Sequence, residues 1–138
     1  MTNEELKKQF DLNDPYQIAK YIKKVKKATP IKAFVRGYLR SEDLKGYEYY
    51  GDPSACIILG EAGHISELLD AKAGSITSCR IEGDRRNSAI PLMDLTVVDA
   101  RIEPGAYIRE GAHIGKNAII MMGAVINIGA SIGDGTMI

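Results

Sequence analysis

The chain has 138 residues, and its 18 Lys and Arg balance 18 Asp and Glu, so the formal net charge at neutral pH is zero. This balance argues against bulk nucleic-acid affinity, which depends on an excess of cations. No apolar run reaches the roughly 18 residues that a membrane span needs. Two cysteines, Cys56 and Cys79, are too few for a disulfide framework or a metal cluster, and they fit a reducing cytoplasm.

A small α+β domain is predicted for residues 1–82. A helix is expected over residues 2–10. Asp14 followed by Pro15 is typical of the start of a second helix, because Asp caps free amides and Pro suits the first turn. The apolar stripe of this second helix comprises Ile18, Tyr21, Ile22 and Val25.

Alternating strands and one further helix are predicted after Thr29 and Pro30, which end the second helix. Residues 41–50 are polar and aromatic and are predicted to form a loop. The composition predicts strands over 31–39, 55–59 and 76–81, and a helix over 64–71.

Residues 83–101 fit neither a helical nor a strand period and are predicted to be a connector. They include the stretch Asp84-Arg85-Arg86-Asn87-Ser88-Ala89-Ile90-Pro91, in which Pro91 disfavours a regular helix. Residues 96–101 are predicted to form a degenerate first coil of the repeats that follow, because Ala100 keeps their small-residue position.

Isoleucine recurs at every sixth residue from Ile102 to Ile138. A period of six fits neither a helix nor a simple alternating strand, but it fits a solenoid of short strands and corners. Each isoleucine is predicted to point inward, and the Gly or Asn before each small residue is predicted to adopt a positive φ at a corner. The small residues are Ala106, Ala112, Ala118, Ala124, Ala130 and Thr136, and the Asn is Asn117.

Ile138 begins a seventh hexapeptide. Because repeat units bury their faces on stacked neighbours and end in atypical caps, we expect the coils of residues 102–138 to be a truncated part of a longer chain.

The hexapeptides are typical of the left-handed parallel β-helix, with handedness taken from resemblance alone. Together with the stretch from Asp84 to Pro91 and the run Ile120-Met-Met-Gly-Ala-Val-Ile-Asn-Ile-Gly-Ala-Ser-Ile-Gly-Asp-Gly-Thr-Met-Ile138, the chain resembles the tetrahydrodipicolinate N-acetyltransferases of the transferase hexapeptide-repeat family. The resemblance covers essentially the whole chain. It implies a bacterial, cytoplasmic, homotrimeric enzyme of lysine and diaminopimelate biosynthesis, without nucleic-acid or membrane partners.

The reaction implied by this resemblance converts acetyl-CoA, tetrahydrodipicolinate and water to N-acetyl-2-amino-6-oxopimelate and CoA. Acetyl-CoA is then a co-substrate, and no permanently bound cofactor or metal is expected. In the related succinyltransferases one catalytic acid directly follows the Gly-Thr-Met stretch, so the catalytic acids are expected beyond Ile138. The catalytic and acyl-CoA-binding residues therefore stay unassigned, and the 138-residue chain is expected to be inactive alone.

The substrate of this family carries two carboxylates, which guanidinium groups bind bidentately. The candidates for substrate contact are Arg85, Arg86, Asn87, Ser88 and Asn127. For the first four, ion pairing between domains or between the subunits of a trimer, through Asp84 and Glu82, is an equally open alternative. Asp134 also projects from the repeat where the family's substrate-binding coil is expected, and capping a corner is the alternative role for this residue.

Other functions are also left open. The nearest is tetrahydrodipicolinate N-succinyltransferase activity with succinyl-CoA, and one of another class is a non-catalytic β-helix that serves assembly. A zinc hydratase on the same fold is disfavoured, because it needs a histidine triad and only His64 and His113 are present.

Overall fold

The computed structural model describes every residue from Met1 to Ile138. The chain forms two compact units. One, here called the sheet unit, is Lys27–Ser88; the other, here called the repeat unit, combines Met1–Lys26 with Ala89–Ile138.

This division differs from the predicted one, which grouped residues 1–26 with the sheet. The difference follows from packing, because apolar side chains of these residues form a core with Ile90 and Ile128 of the repeat unit. The division of the chain into domains at residues 1–82, 83–101 and 102–138 stays a prediction, because compact units need not be independently folding domains.

The repeat unit begins with helices α1 (Asn3–Lys7) and α2 (Pro15–Lys24), which confirms both predicted helices, the first over a shorter range. Thr2 caps α1 through a reciprocal capping box with Glu5. Asp14 caps α2 by accepting a hydrogen bond from the Tyr16 N–H at 2.9 Å. No helix combines the length and apolar content needed to cross a membrane.

The sheet unit contains a four-stranded antiparallel sheet in the order β2-β3-β1-β4. Its strands are β1 (Pro30–Gly37), β2 (Glu48–Asp52), β3 (Ala55–Glu61) and β4 (Ile76–Gly83). The loop prediction was wrong for residues 48–50, because these residues pair with β3. That pairing is a tertiary contact, which local composition does not encode.

Helix α3 (Ala62–Ala71) packs on one face of this sheet. Ile65 and Ile58 are fully buried there, and Ala33 and Val35 of β1 lie in the same core. The opposite face, which carries Phe34, remains open to solvent. The unit therefore has one apolar layer between helix and sheet.

The repeats form two-residue strands that pair in parallel. Arg101 pairs with Ile119, and Ile102 with Ile120, so partners are three hexapeptides apart. The strands are β5 (Arg101–Ile102), β6 (Tyr107–Ile108), β7 (His113–Ile114), β8 (Ile119–Ile120), β9 (Val125–Ile126) and β10 (Ser131–Ile132), paired as β5–β8, β6–β9 and β7–β10.

The isoleucine register predicted from the sequence is confirmed, since Ile108, Ile120 and Ile126 are buried in one core. Positive φ values at the corners are also confirmed, including a φ of 56° at Asn117. The predicted degenerate coil is only partly regular. Leu95–Val97 is a 3-10 turn, while the Asn117 N–H donates to the Asp99 carbonyl at 2.8 Å, as in the coils.

Candidate functional site

The two candidate arginines directly follow β4. The Arg85 Nη1 atom lies 3.6 Å from Asp84 Oδ2, and the Arg85 side chain is half-buried. Arg86 is exposed and forms no ion pair within the chain. Glu82 pairs with Arg80 at 3.2 Å. The ion pairs of Asp84 and Glu82 both form within the sheet unit, and ion pairing between domains or subunits stays a prediction.

Asn87 and Ser88 hold the backbone of this segment. Asn87 has a φ of 47° and its N–H donates to Thr29 Oγ1 at 3.0 Å. Ser88 and Ala28 exchange backbone hydrogen bonds, each of 2.9 Å. These contacts fix where the two arginines leave the sheet. The Thr29 side chain accepts the hydrogen bond that holds Asn87, and Thr29 was not selected from the sequence.

A concavity of about 390 Å³ lies beside Arg85 in the sheet unit. Its charged lining residues are Lys32, Glu82, Asp84 and Arg85. Two cations near two acids suit a small zwitterion or a dicarboxylate that displaces an internal ion pair. Lys32 was missed by sequence reasoning, because its position opposite Glu82 depends on the β1–β4 register, which is a tertiary contact.

Asn127 lies on the exterior of the coils, in the repeat unit. Its Oδ1 accepts from the Ile128 N–H at 2.9 Å and from Arg109 Nη1 at 3.5 Å. Arg109 precedes Asn127 by three hexapeptides and therefore lies on the adjacent coil, beside it on the same face. The pair presents a guanidinium and an amide on this exterior face.

Asp134 caps a corner, which is the alternative stated from the sequence. Its Oδ1 accepts from the Lys116 N–H at 2.8 Å. Both residues, with His113 and Asp99, line a concavity of about 450 Å³ on the coil surface. No group of three or more His, Cys, Asp or Glu is placed to hold a metal ion.

Shifted pKa values occur at structural contacts. The hydrogen bond from Lys7 Nζ to Glu110 Oε1, at 2.9 Å, raises the pKa of Lys7. Hydrogen bonds from Lys72 and from the Arg40 N–H lower the pKa of Asp43 to about 2. The contact of Lys7 with Glu110 links α1 to the coils and stabilises the repeat unit. The contacts of Asp43 link the loop before β2 to the end of α3 and stabilise the sheet unit.

Comparison with models of known protein families shows which family the chain belongs to. A family model described as tetrahydrodipicolinate succinyltransferase N-terminal matches residues 13–95. The chain belongs to this family. The match includes all of α2 and the whole sheet unit, to which the candidate residues from Arg85 to Ser88 belong.

Three relatives of the chain are each named 2,3,4,5-tetrahydropyridine-2,6-dicarboxylate N-acetyltransferase. One from Clostridium botulinum (strain Langeland) is 53% identical over 100 residues, and one from Clostridium perfringens (strain ATCC 13124) is 50% identical over 100 residues. One from Thermoanaerobacter sp. (strain X514) is 52% identical over 99 residues. These matches confirm the resemblance to N-acetyltransferases that the sequence analysis stated.

The matched region covers 72% of this chain in each case. It covers 42% of the two clostridial relatives and 41% of the Thermoanaerobacter relative. The matched region therefore accounts for less than half the length of each relative.

Proposed function

We propose that the chain is part of an N-acetyltransferase that transfers the acetyl group of acetyl-CoA to tetrahydrodipicolinate in lysine and diaminopimelate biosynthesis. The observation that carries this proposal is the identity of 50–53% to relatives named as N-acetyltransferases of this substrate. Acetyl-CoA acts as a co-substrate, and the enzyme is a bacterial cytoplasmic protein.

Tetrahydrodipicolinate is a cyclic imine, so the water of the reaction must add to its C=N bond to give the amine that attacks the thioester carbonyl and the carbon that becomes the 6-oxo group. The new bond joins the amine nitrogen to the acetyl carbon, the bond from carbon to sulfur breaks, and CoA leaves as its thiol. A base must accept a proton from the amine, and the developing oxyanion needs hydrogen-bond donors. The N–H groups of the corner residues Gly123, Gly129 and Gly135 already donate to carbonyls of the neighbouring coil, so the oxyanion donors and the catalytic acids stay unassigned.

The coils are proposed to wind as a left-handed parallel β-helix, and three chains are proposed to pack as a homotrimer. Pairing of residues three hexapeptides apart supports three strands per turn, while the handedness and the trimer come from the family resemblance. In such a trimer the exterior of the coils, with Arg109 and Asn127, contributes to the grooves between subunits.

Arg85, Arg86, Asn87, Ser88 and Asn127 are proposed as substrate-binding residues. The exposed Arg86 guanidinium and the half-buried Arg85 supply the charge that a dicarboxylate needs, and the backbone contacts of Asn87 and Ser88 support them.

A chimera tests this proposal. The chain replaces the matching segment of the Clostridium botulinum relative, and CoA release is measured with tetrahydrodipicolinate and either acetyl-CoA or succinyl-CoA. Activity with acetyl-CoA supports the proposal. An inactive, folded chimera contradicts it.

The substrate residues are tested in the same chimera. Arg86→Ala should raise the KM for tetrahydrodipicolinate by about tenfold or more, since a charge-assisted contact contributes roughly 1.5–3 kcal/mol. Lys45→Ala, which removes an exposed cation from the loop before β2, is the control and should leave KM unchanged. An unchanged KM for Arg86→Ala rejects its assignment.

The second candidate is the succinyltransferase. The specific observation in its favour is the description of the matched family, which names a succinyltransferase. Faster CoA release from succinyl-CoA than from acetyl-CoA would select it.

A further inference from the structure

The outer edge of β4 is unpaired. β4 ends the sheet order β2-β3-β1-β4, pairs with β1 alone, and is exposed from Thr77 to Gly83. Its outward amides and carbonyls are therefore free to pair with another strand. Natural edge strands often prevent such pairing with Lys or Pro, and residues 77–83 contain neither.

The hydrogen bonds of β1 show which β4 residues present these free groups. The Thr29 carbonyl, just before β1, accepts from the Ala62 N–H on the β3 side of the sheet. Because alternate residues of an antiparallel strand bond in opposite directions, the even-numbered residues of β1 bond towards β4. Phe34 is thus bonded to its partner Arg80. The β4 residues whose backbone groups face outward beyond the bulge at Thr77 are Cys79, Ile81 and Gly83.

We propose that this edge pairs antiparallel with β4 of a second copy of the chain, about a two-fold axis at Ile81. Ile81 then exchanges backbone hydrogen bonds with Ile81 of the second copy, and Cys79 does so with Gly83 of the second copy. Arg80 lies directly opposite Glu82 of the second copy, in the closely spaced type of pair where side chains interact most. The contact is isologous, so the same ion pair forms twice.

Charge selects this register over its neighbours. An axis at Arg80 places two arginines opposite each other, and an axis at Glu82 places two carboxylates opposite each other, both of which are destabilising. An axis at Cys79 places Arg80 opposite Ser78 and forms no ion pair. The axis at Ile81 alone among these four gives two opposite-charge pairs.

The apolar surface agrees with the charges. Ile81 lies on the face that α3 covers over β1 and β3, yet it is 52% exposed. Pairing would bring it against Ile81 of the second copy and remove apolar surface from water. Within one copy Arg80 already lies 3.2 Å from Glu82, so the paired edges carry four charges of alternating sign.

The other edge of the sheet lacks this complementarity. Antiparallel self-pairing of β2 about Tyr50 would place Glu48 opposite Asp52 of the second copy, which are like charges, and pairing about Tyr49 or Gly51 would form no opposite-charge pair within β2. Of the two edges, only β4 therefore gains opposite-charge pairs by self-association. This inference does not depend on the proposed acetyl transfer, and a two-fold contact through β4 is separate from a three-fold contact through the coils.

Charge reversal tests the pairing by sedimentation velocity of the 138-residue chain over a range of concentrations. Arg80→Glu or Glu82→Arg should raise the dissociation constant of the two-fold contact by about tenfold or more, because two attractive pairs become repulsive. The double variant, Arg80→Glu with Glu82→Arg, should restore association. Arg36→Glu, on the open face of the interior strand β1, is the matched control and should associate like the unmodified chain.

Disulfide trapping tests the register. Ile81→Cys in a Cys79→Ser background should form a dimer band on a non-reducing gel, because directly opposite residues lie about 5.5 Å apart between Cα atoms, within disulfide range. Cys79 in the unmodified chain should not, since it faces Gly83. Three outcomes would overturn the proposal. The chain stays monomeric at all concentrations, the double variant fails to restore association, or a disulfide forms at Cys79 rather than at position 81.

Discussion

The sheet unit and the coils obtain their order in opposite ways. In the sheet, β1 pairs with both β3 and β4, which are distant from each other in sequence, and a single helix covers one face. In the coils each two-residue strand pairs with the strand three hexapeptides away, and the isoleucines repeat the same contact. The sheet is thus one interdependent body, whereas the coils are a series of nearest-neighbour contacts.

This difference has a consequence for how damage spreads. Removing a core side chain from the sheet should loosen all of its strands together. The same removal in the coils should loosen mainly the stacked strand pair that contains it, because stability in repeats is a sum of local terms.

Two matched truncations test whether damage spreads differently in the sheet and in the coils. Ile58→Ala in the sheet and Ile120→Ala in the coils each remove a side chain that is fully buried, and each should lower the free energy of unfolding of its region by about 2–5 kcal/mol. In hydrogen exchange, Ile58→Ala should accelerate β1, β3 and β4 together. Ile120→Ala should accelerate mainly β5 and β8.

Val125→Ala, which shortens a side chain that is 78% exposed on the coils, is the control and should change exchange little. Uniform acceleration of every coil strand by Ile120→Ala would show that the coils are as interdependent as the sheet.

The two regions also differ in how far their sequences predict them. In the coils the strand positions, inward isoleucines and positive-φ corners followed from a six-residue period, because each repeat obeys the same local steric rule. In the sheet the sequence predicted β1, β3, β4 and α3, but it assigned residues 48–50 to a loop. Their strand conformation depends on pairing with residues 57–59, a contact that no local pattern carries.

The site was predictable to a lesser degree. Family resemblance selected the residues from Arg85 to Ser88, whereas the place of Lys32 depends on the register between β1 and β4. The role of Thr29 in holding Asn87 could not be predicted, because the two lie on segments joined by a tertiary contact. The pairing of Arg109 with Asn127 followed from the period but was not used.

A substitution at one corner sharpens the steric part of the comparison. Asn117 has a φ of 56°, where a Cβ costs most residues about 1–2 kcal/mol but Asn is tolerated and Gly is free of the penalty. Asn117→Ala should therefore lower the melting temperature of the repeat unit, and Asn117→Gly should not. Lys116→Ala, at the exposed neighbouring position with a negative φ, is the control. Equal loss in the Ala and Gly variants would mean that the Asn side chain, not its backbone, matters.

The last difference between the sheet unit and the coils is electrostatic, and we expect its effect on stability to be the smallest. In the sheet unit Asp43 Oδ1 lies 2.9 Å from Lys72 Nζ, and Oδ2 accepts from the Arg40 N–H at 2.9 Å. These contacts lower the pKa of Asp43 from 3.8 to about 2. A lowered folded-state pKa means that the stabilisation is complete above pH 3.8 and is lost as the pH falls through about 2.

Asp43→Asn removes this dependence, because the amide does not titrate. Near neutral pH the variant should be less stable than the unmodified chain, and the two stabilities should converge as the pH falls towards about 2, where the unmodified carboxyl becomes protonated. Hydrogen exchange of β1 and β3 measured between pH 2 and neutrality, corrected for the intrinsic exchange rate, gives both curves. The exchange of β5 to β10 in the same samples is the internal control, since Asp43 belongs to the sheet unit. Parallel curves that keep a constant separation at low pH would show that Asp43 acts through its shape and not through its charge, and the acid sensitivity of the sheet would then need another carboxylate.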